Sequence, residues 1–463
     1  MREYDLIIKN GNIVTENETF TGDIAVNDGK IAKLSKEPIE DTAREVYDAS
    51  GLHILPGVVD VHVHFNEPGR EHWEGLATGS SSLAAGGATS FFDMPLNSDP
   101  PTINKEQFLL KQKVAEEKSV VDYGLLGGLV PENLDELEGL IEAGAVGLKG
   151  FMPHSGIDEF SAIDGSYLYD GFKKAAELDT VVMLHAESQV ITSKLAEQAK
   201  AEGRTTAYDF EKTRPVSSEV EAVERALSMA EAANAKLHIV HASAAEVARR
   251  VAIAKKRGVD ATVETCTHYL SLTVDDTEKL GAIAKCCPPL REQEVVDELW
   301  ESIKNGEIDL VSSDHSPSSG DLKVLKEGQT IFDCWGGISS AQSTLNVLLE
   351  EGYFKRNVSL ETIVRLTSAN PAKRFGIYPK KGAVAVGSDA DFAIVDLNKS
   401  FTLQKEDLFY KHKHSPFIGK EFRGQVLCTI LRGQKVFENG KIVQDGSYGE
   451  MLINRNIEAT AQC

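Results

Sequence analysis

The middle of the chain alternates short apolar runs with amphipathic segments that repeat apolar residues at positions i, i+3 and i+4. The amphipathic segments predict helices, for example "KEQFLLKQKVAEEKS", "ENLDELEGLIEAG", "SSEVEAVERALSMAEAAN" and "AAEVARRVAIAKKRG". The apolar runs predict eight strands, at Ile54–His62, Ala88–Met94, Val121–Gly128, Val146–Gly150, Thr180–His185, Lys236–His241, Asp260–Thr265 and Ile308–Ser313. Eight strands separated by helices over about 320 residues predict an α/β fold, a TIM-like (β/α)8 barrel.

Both ends of the chain show a different pattern, with short alternating strands and Asn-Gly or Asp-Gly turns, as in "YDLIIKNGNIVT" and "GSDADFAIVDLNKSFTL". We therefore expect residues 1–53 and 376–463 to form one small β-sandwich domain, with the barrel occupying residues 54–375. The final stretch, "INRNIEATAQC", is expected to be a loose tail.

Composition and charge narrow the possible partners. The net charge of -22 and the pI near 5.0 disfavour binding to nucleic acid or to an anionic membrane surface. The start of the chain does not resemble a signal peptide, and no apolar run reaches the roughly 18 residues of a membrane span, so a cytoplasmic location is expected. The 6 cysteines are scattered without CxxC spacing, which favours reduced thiols over disulfides or a thiolate zinc site.

Two histidines mark the end of the first predicted barrel strand. His62 and His64 alternate, so their imidazoles are expected on one face with Cα atoms roughly 6.5 Å apart, close enough to bind one metal ion. Taken alone, the pair fits two hydrogen-bonded core histidines equally well. Asp60 is expected on the same face as a supporting partner, and His238 on the face opposite His241, toward the helices.

Four further polar residues end or directly follow other predicted strands: Lys149, His185, His241 and Asp314. Because the C-terminal strand ends of such a barrel meet at its catalytic mouth, these side chains are expected to join the two histidines in a metal site. Lys149 fits either an ion-paired lysine or a carbamate that bridges two ions. Asp314 fits either a metal ligand that accepts a proton or a helix N-cap.

Nitrogen and oxygen ligands suit Zn²⁺ best, although Mn²⁺, Co²⁺ or Fe²⁺ fit the same set. Two divalent ions bridged by an anion lower the pKa of a shared water toward neutrality, which favours a hydrolase.

This ligand set, together with "DLIIKNG", "ILPGVVDVHVHF", "GSDADFAIVD" and "HSPFIGKEFRGQV", resembles the cyclic amidohydrolases, which include hydantoinases, dihydroorotases and allantoinases. The resemblance runs over almost the whole chain. It implies that His62, His64 and Asp314 hold the more buried of two ions, that His185 and His241 hold the more exposed one, and that Lys149, carboxylated by CO₂, bridges both. It also implies that Asp314 passes a proton from the bridging hydroxide to the leaving amide nitrogen, and that the subunits form a homo-oligomer, commonly a tetramer.

Residues outside the metal set bear on the substrate. Dihydroorotases typically have an arginine two residues after the histidine pair, where this chain has Asn66, and a neutral amide does not clamp a substrate carboxylate. Hydantoinases usually have a tyrosine five residues after the lysine and a serine before Pro-Pro-Leu-Arg, where this chain has His154 and Cys287.

The segments "HFNEPGREHWEG", "FFDMPLNSDPPT", "ETCTHYL" and "SSDHSPSSGDLK" are most similar to the allantoinase branch, which implies hydrolysis of allantoin to allantoate in purine and ureide degradation. The candidate substrate contacts are Asn66, Asn97, His154, Cys287 and Trp335. Two alternatives stay open at this point: a hydantoinase or dihydropyrimidinase, and a non-enzymatic dihydropyrimidinase-like scaffold. The filled ligand positions disfavour the scaffold.

Overall fold

The computed structural model describes residues 3–444 and 446–454. The strands are β1 (Glu3–Val14), β2 (Thr19–Asn27), β3 (Lys30–Ser35), β4 (Thr42–Asp48), β5 (His53–Pro56), β6 (Val58–Val63), β7 (Ala88–Asp93), β8 (Asp122–Leu125), β9 (Gly127–Gly128), β10 (Leu148–Phe151), β11 (Val181–His185), β12 (Lys236–Ile239), β13 (Ala261–Cys266), β14 (Leu310–Ser312), β15 (Phe392–Thr402), β16 (Glu421–Leu431), β17 (Gln434–Glu438) and β18 (Lys441–Ile442). The part of the expected tail from residue 455 onward lies outside the described residues.

The helices are α1 (Leu76–Ala85), α2 (Lys105–Lys118), α3 (Leu137–Glu142), α4 (Gly165–Glu177), α5 (Gln189–Ala201), α6 (Ala207–Thr213), α7 (Val216–Ala233), α8 (Ala245–Lys256), α9 (Val274–Leu280), α10 (Gln293–Lys304), α11 (Thr344–Val347), α12 (Leu360–Val364) and α13 (Asn370–Arg374). A π-helical segment, Leu348–Phe354, continues α11, and another, Arg365–Ala369, joins α12 to α13. Within the described part of the chain, no helix is both long enough and apolar enough to span a bilayer.

The strands β6 to β14 form a closed parallel barrel. One sheet has the order β6-β7-β8 and the other β9-β10-β11-β12-β13-β14. The Val146 amide donates to the Leu125 carbonyl at 3.0 Å, and the His64 amide donates to the His315 carbonyl at 2.8 Å, so hydrogen bonds join the two sheets on both sides. Each of the eight predicted runs contains or overlaps a barrel strand, and the third contains both β8 and β9. The predicted barrel is therefore confirmed.

The two ends of the chain form a separate sheet outside the barrel. Its order is β18-β17-β16-β15-β5-β1-β2-β3, and β4 pairs with β1. The antiparallel pairing of β15 with β5, in which Ala393 lies opposite Leu55, joins the C-terminal strands to the N-terminal ones. Buried side chains such as Ile8, Ile54 and Phe392 form its core. The expectation that both termini build one β domain is confirmed.

The predicted strand Ile54–His62 proved to be two strands in different sheets. β5 pairs with β15 in the terminal sheet, whereas β6 pairs with β7 in the barrel. The change occurs at Gly57, where an added Cβ would lie 2.1 Å from the Thr89 hydroxyl oxygen. Only glycine lets the backbone pass so close to its neighbour. The apolar pattern did not show the break because both strands are buried.

A buried ion cluster connects the barrel to the terminal sheet. Lys381 is fully buried and contacts Asp122 of β8, Asp389 at 2.9 Å and Asp391 at 2.8 Å. Arg432 also contacts Asp122, and its backbone amide donates to Asp391. The two cations therefore balance carboxylates that come from both structural units.

Replacing Lys381 with methionine is expected to lower the free energy of unfolding by about 3–5 kcal/mol, because three buried carboxylates lose their shared cation. Urea unfolding followed by circular dichroism measures the change. The matched control is Lys30→Met, since Lys30 pairs with the same Asp389 but is 55% exposed. That control is expected to cost less than about 1 kcal/mol. Equal losses in the two variants would contradict a special role for the buried cluster.

Candidate active site

A cavity of about 360 Å³ opens where the barrel strands end. Five of the six predicted metal ligands line it: His62, His64, His185, His241 and Asp314. The sixth, Lys149, is fully buried in β10. His62 and His64 lie at the end of β6. The other four residues lie on, or directly after, four different strands, β10, β11, β12 and β14. The barrel thus brings together residues that are more than 250 positions apart in the sequence.

The first group of ligands surrounds one point. The Asp314 Oδ1 atom lies 3.2 Å from His62 Nε2 and 3.5 Å from His64 Nε2. One ligand atom from each of these side chains lies within 4.8 Å of the others. Although burial raises the pKa of Asp314, His62 and His64 hold it well below its ordinary value. An ionised carboxylate beside two imidazoles is a suitable set of donors for a divalent ion.

The second group adjoins the first. The rings of His185 and His241 lie 4.4 Å apart between centroids, and the His241 ring lies 5.6 Å from that of His62. His241 and Asp314 both have positive φ angles, 41° and 42°, outside the regular strand conformation. These backbone turns aim the two side chains into the mouth of the barrel. The Nδ1 atom of His241 is buried and has no hydrogen-bond partner among the described residues.

Lys149 gives the strongest indication that the site binds a further group. Its Nζ atom is buried and has no hydrogen-bond partner in the described part of the chain, and the centroid of the Phe151 ring lies 4.8 Å away. Burial lowers the pKa of Lys149 to about 8, against the opposing effect of Asp314 and Glu264. A lysine with a lowered pKa supplies the neutral amine that reacts with CO₂. The residues present therefore fit a carbamate and two metal ions.

Sequence analysis missed Glu264 on β13, which supports the first group. Its Oε1 atom lies 2.5 Å from His62 Nδ1, and its Oε2 atom lies 3.0 Å from His238 Nε2. Burial raises the pKa of Glu264, but His62 and His238 together lower it to about 2, so this carboxylate stays charged. An ionised partner fixes the tautomer and the orientation of the His62 ring. The available signal was an acidic residue inside an apolar strand.

One expectation about strand faces was wrong. His238 does not point toward the helices but binds Glu264 beneath the site, because the positive φ of His241 breaks the alternation that the prediction assumed. Asp60, expected on the same face as His62, accepts the backbone amides of His62 at 3.3 Å and of Ser313 at 3.1 Å, and so supports the backbone beside both His62 and Asp314.

A second missed carboxylate supports His185. Glu187 Oε2 lies 2.7 Å from His185 Nε2, and both Glu187 oxygens accept from Arg214, at 2.9 Å and 2.7 Å. The position of Glu187, two residues after His185, was a usable signal, whereas nothing in the sequence pointed to Arg214. The ring of His64 is oriented in turn by the Leu96 carbonyl, which lies 2.8 Å from its Nδ1 atom.

Replacing Glu264 with glutamine is expected to weaken metal binding by about 10–100-fold, because His62 loses its charged partner. Competition with a chelator, read out by elemental analysis, measures the affinity. Thr262→Val is the matched control, since it removes only the hydrogen bond to the far nitrogen of His238. That control is expected to change affinity by less than about threefold. Unchanged metal affinity in the glutamine variant would contradict the supporting role.

Four of the five candidate substrate contacts line the cavity: Asn97, His154, Cys287 and Trp335. The fifth, Asn66, does not. It is buried behind Asn97, where its Oδ1 accepts from Asn97 Nδ2 at 3.2 Å and its Nδ2 donates to the Pro317 carbonyl at 3.2 Å. Asn66 therefore holds Asn97 in place. The cavity lining that sequence analysis did not name includes Leu96, Phe151, Arg214, Cys286, Ser316 and Gly337.

Comparisons with known proteins agree with this geometry. Residues 53–442 match the Amidohydrolase family. The chain is 49% identical to an allantoinase from Deinococcus radiodurans, with 94% of this chain and 96% of that protein covered, and 45% identical to one from Solibacter usitatus, with 97% and 96% covered. Among solved structures, it is similar to an L-hydantoinase (dihydropyrimidinase) from Arthrobacter aurescens, with a TM-score of 0.94, 35% identity and coverage of 97% of this chain and 100% of that one. A D-hydantoinase from Thermus sp. gives a TM-score of 0.89 at 27% identity over 97% and 99% of the two chains.

Proposed function

Because this chain belongs to the amidohydrolase family, we propose that it is an allantoinase, a metal-dependent cyclic amidohydrolase that opens the hydantoin ring of allantoin to give allantoate. The observation that carries the proposal is the convergence of five metal-ligand candidates on one cavity, with the sixth, Lys149, buried in β10, in a chain similar to allantoinases along almost its whole length. This reaction places the enzyme in purine and ureide degradation.

In the proposed metal centre, His62, His64 and Asp314 would hold one ion, His185 and His241 would hold the other, and Lys149 as a carbamate would supply oxygen donors to both. The nitrogen and oxygen donors suit Zn²⁺ best, with Mn²⁺, Co²⁺ or Fe²⁺ as fitting substitutes. When bound, the two ions supply polarisation of the ring carbonyl and activation of water at neutral pH. Support comes from the buried nitrogens of Lys149 and His241, which lack protein partners among the described residues.

Asp314 is the proposed catalytic acid and base. Its lowered pKa keeps the carboxylate ionised near neutral pH, so it can accept a proton from the attacking water. The same carboxyl group then donates that proton to the amide nitrogen that leaves as the ring opens. The charged Glu264 and Glu187 hold the neighbouring imidazoles in fixed orientations while this transfer takes place.

The proposed preference for a neutral ring rests on the residues around Asn66. No arginine stands at that position, and the side-chain amide of Asn66 is hydrogen-bonded to Asn97 and to the Pro317 carbonyl. Asn66 therefore supplies no cation for a substrate carboxylate, which disfavours dihydroorotate. Allantoin is an uncharged hydantoin with a ureido arm, and the cavity of about 360 Å³ is adequate for a molecule of this small size.

The test is to give the metal-loaded enzyme allantoin, hydantoin, dihydrouracil and dihydroorotate separately. We expect the highest kcat/KM for allantoin, and preferential turnover of any other ring would contradict the proposed substrate. Hydantoin is included because the similar solved structures are hydantoinases, which makes that ring the test of the hydantoinase alternative. Elemental analysis addresses the scaffold alternative, because less than about one bound ion per subunit would remove the basis for hydrolysis. Sedimentation tests the accompanying proposal of a homotetramer.

A further inference from the structure

Arg214 is the only lysine or arginine among the described residues that line the cavity. It directly follows α6, and its side chain is 20% exposed. Burial alone would lower the pKa of Arg214, but Cys287 and Glu187 raise it above its ordinary value, so the guanidinium stays charged. A permanent cation in the wall of a small cavity is costly unless its hydrogen-bonding capacity is used.

Only part of the hydrogen-bonding capacity of the Arg214 guanidinium is taken up by protein acceptors. Its Nε and Nη2 atoms donate to the two oxygens of Glu187, at 2.9 Å and 2.7 Å, as a bidentate pair. The Nη1 atom donates to no acceptor among the described residues, and it is not one of the buried polar atoms shut off from solvent. One edge of the guanidinium is thus fixed to Glu187, and the Nη1 donors remain for a molecule in the cavity.

The backbone of Arg214 is fixed as well. Its carbonyl accepts from Arg291 Nη1 at 2.6 Å, and the buried Arg291 is itself held by Glu211 at 2.8 Å and by Glu219 at 2.7 Å. Anchoring at both ends makes Arg214 a preorganised donor, whose hydrogen bond to a ligand costs little further ordering.

The charge balance indicates which kind of acceptor suits the Nη1 donor. Glu187 neutralises the guanidinium, so the pair has little net charge to attract a carboxylate and suits a neutral carbonyl oxygen. Glu187 also binds His185, which places Arg214 one residue away from the metal ligands. A substrate whose ring carbonyl lies at the metal site would have its substituent in the same cavity, whose lining includes Arg214.

We propose that Arg214 Nη1 donates a hydrogen bond to the carbonyl of the ureido arm and so distinguishes a ureido-substituted hydantoin from the bare ring. This inference rests on the proposed function, because only allantoin among the four test rings carries such an arm. Arg214 acts through direct contact with the substrate, whereas Glu187 positions both Arg214 and His185.

The test compares the metal-loaded wild type with Arg214→Gln and Arg214→Lys on allantoin and on unsubstituted hydantoin. For both variants we expect kcat/KM for allantoin to fall by about 10–100-fold, while the value for hydantoin changes by less than about threefold. If hydantoin binds without turnover, its inhibition constant replaces kcat/KM. The matched control, Glu187→Gln, is expected to lower metal content and the values for both rings together.

An equal fall for both rings, or a loss of metal in the Arg214 variants, would overturn the inference and assign Arg214 a purely structural role. Failure of the proposed function is a separate result, seen in the wild type alone. If the unmodified enzyme prefers hydantoin to allantoin, both the substrate assignment and the role of Arg214 are overturned.

Discussion

Replacing Lys149 with alanine is expected to remove bound metal and activity together, with a fall in kcat on the order of 10³-fold or more. Lys149 is fully buried, and its Nζ atom has no partner among the described residues, so the protein alone gives no reason to keep a lysine there. A carbamate bridging two ions supplies that reason. Elemental analysis and an allantoin assay on the same preparation measure the two losses.

Chemical rescue makes this prediction specific. In the alanine variant, a short carboxylic acid such as acetate or propionate is expected to enter the vacated space and to restore part of the metal content and the rate. Lys149→Met is the matched control, because its side chain fills the same space and leaves no room for an added acid. Full metal content and full rate in the alanine variant would show that Lys149 does not bridge the ions.

The barrel was predictable because the same pattern, an apolar run followed by an amphipathic segment, recurs along the chain. Each of the eight apolar runs is short and buried, and each is followed by helical spacing, so an error in one run does not change the fold class. The join at Gly57 was not predictable in this way. It depends on the 2.1 Å approach that a Cβ would make to Thr89, a contact between strands that local pattern does not encode.

The candidate metal ligands could be picked out from the sequence for a related reason, since polar residues at the ends of apolar strands are rare and costly to bury. The residues that orient them were harder to find. Glu264 stands in an apolar strand and gave a usable signal, but its link to His238 was missed because the face of His238 was counted back from His241, where φ is 41° and the strand is no longer regular. Alternation holds only while a strand stays regular, and strands at an active site often do not.

Replacing Asp314 with asparagine is expected to lower kcat by about 10²–10⁴-fold with little change in KM, because an amide of the same shape can no longer accept the proton. An asparagine oxygen can still lie near His62 and His64, so we expect the variant to retain most of its metal. Asp314→Ala removes the oxygen as well and is expected to lose metal and activity. The contrast between the two variants separates proton transfer from metal binding.

Asp60→Asn provides the matched control for Asp314. Asp60 is also a buried carboxyl group near the site, where burial raises its pKa to about 7, and it accepts the backbone amides of His62 and Ser313, both of which an asparagine oxygen can accept. We expect its kcat to change by less than about tenfold, since no proton transfer depends on Asp60. A similar loss in both asparagine variants would mean that any buried carboxyl group near the site matters. A rate within about tenfold of wild type for Asp314→Asn would move the acid and base role to another residue.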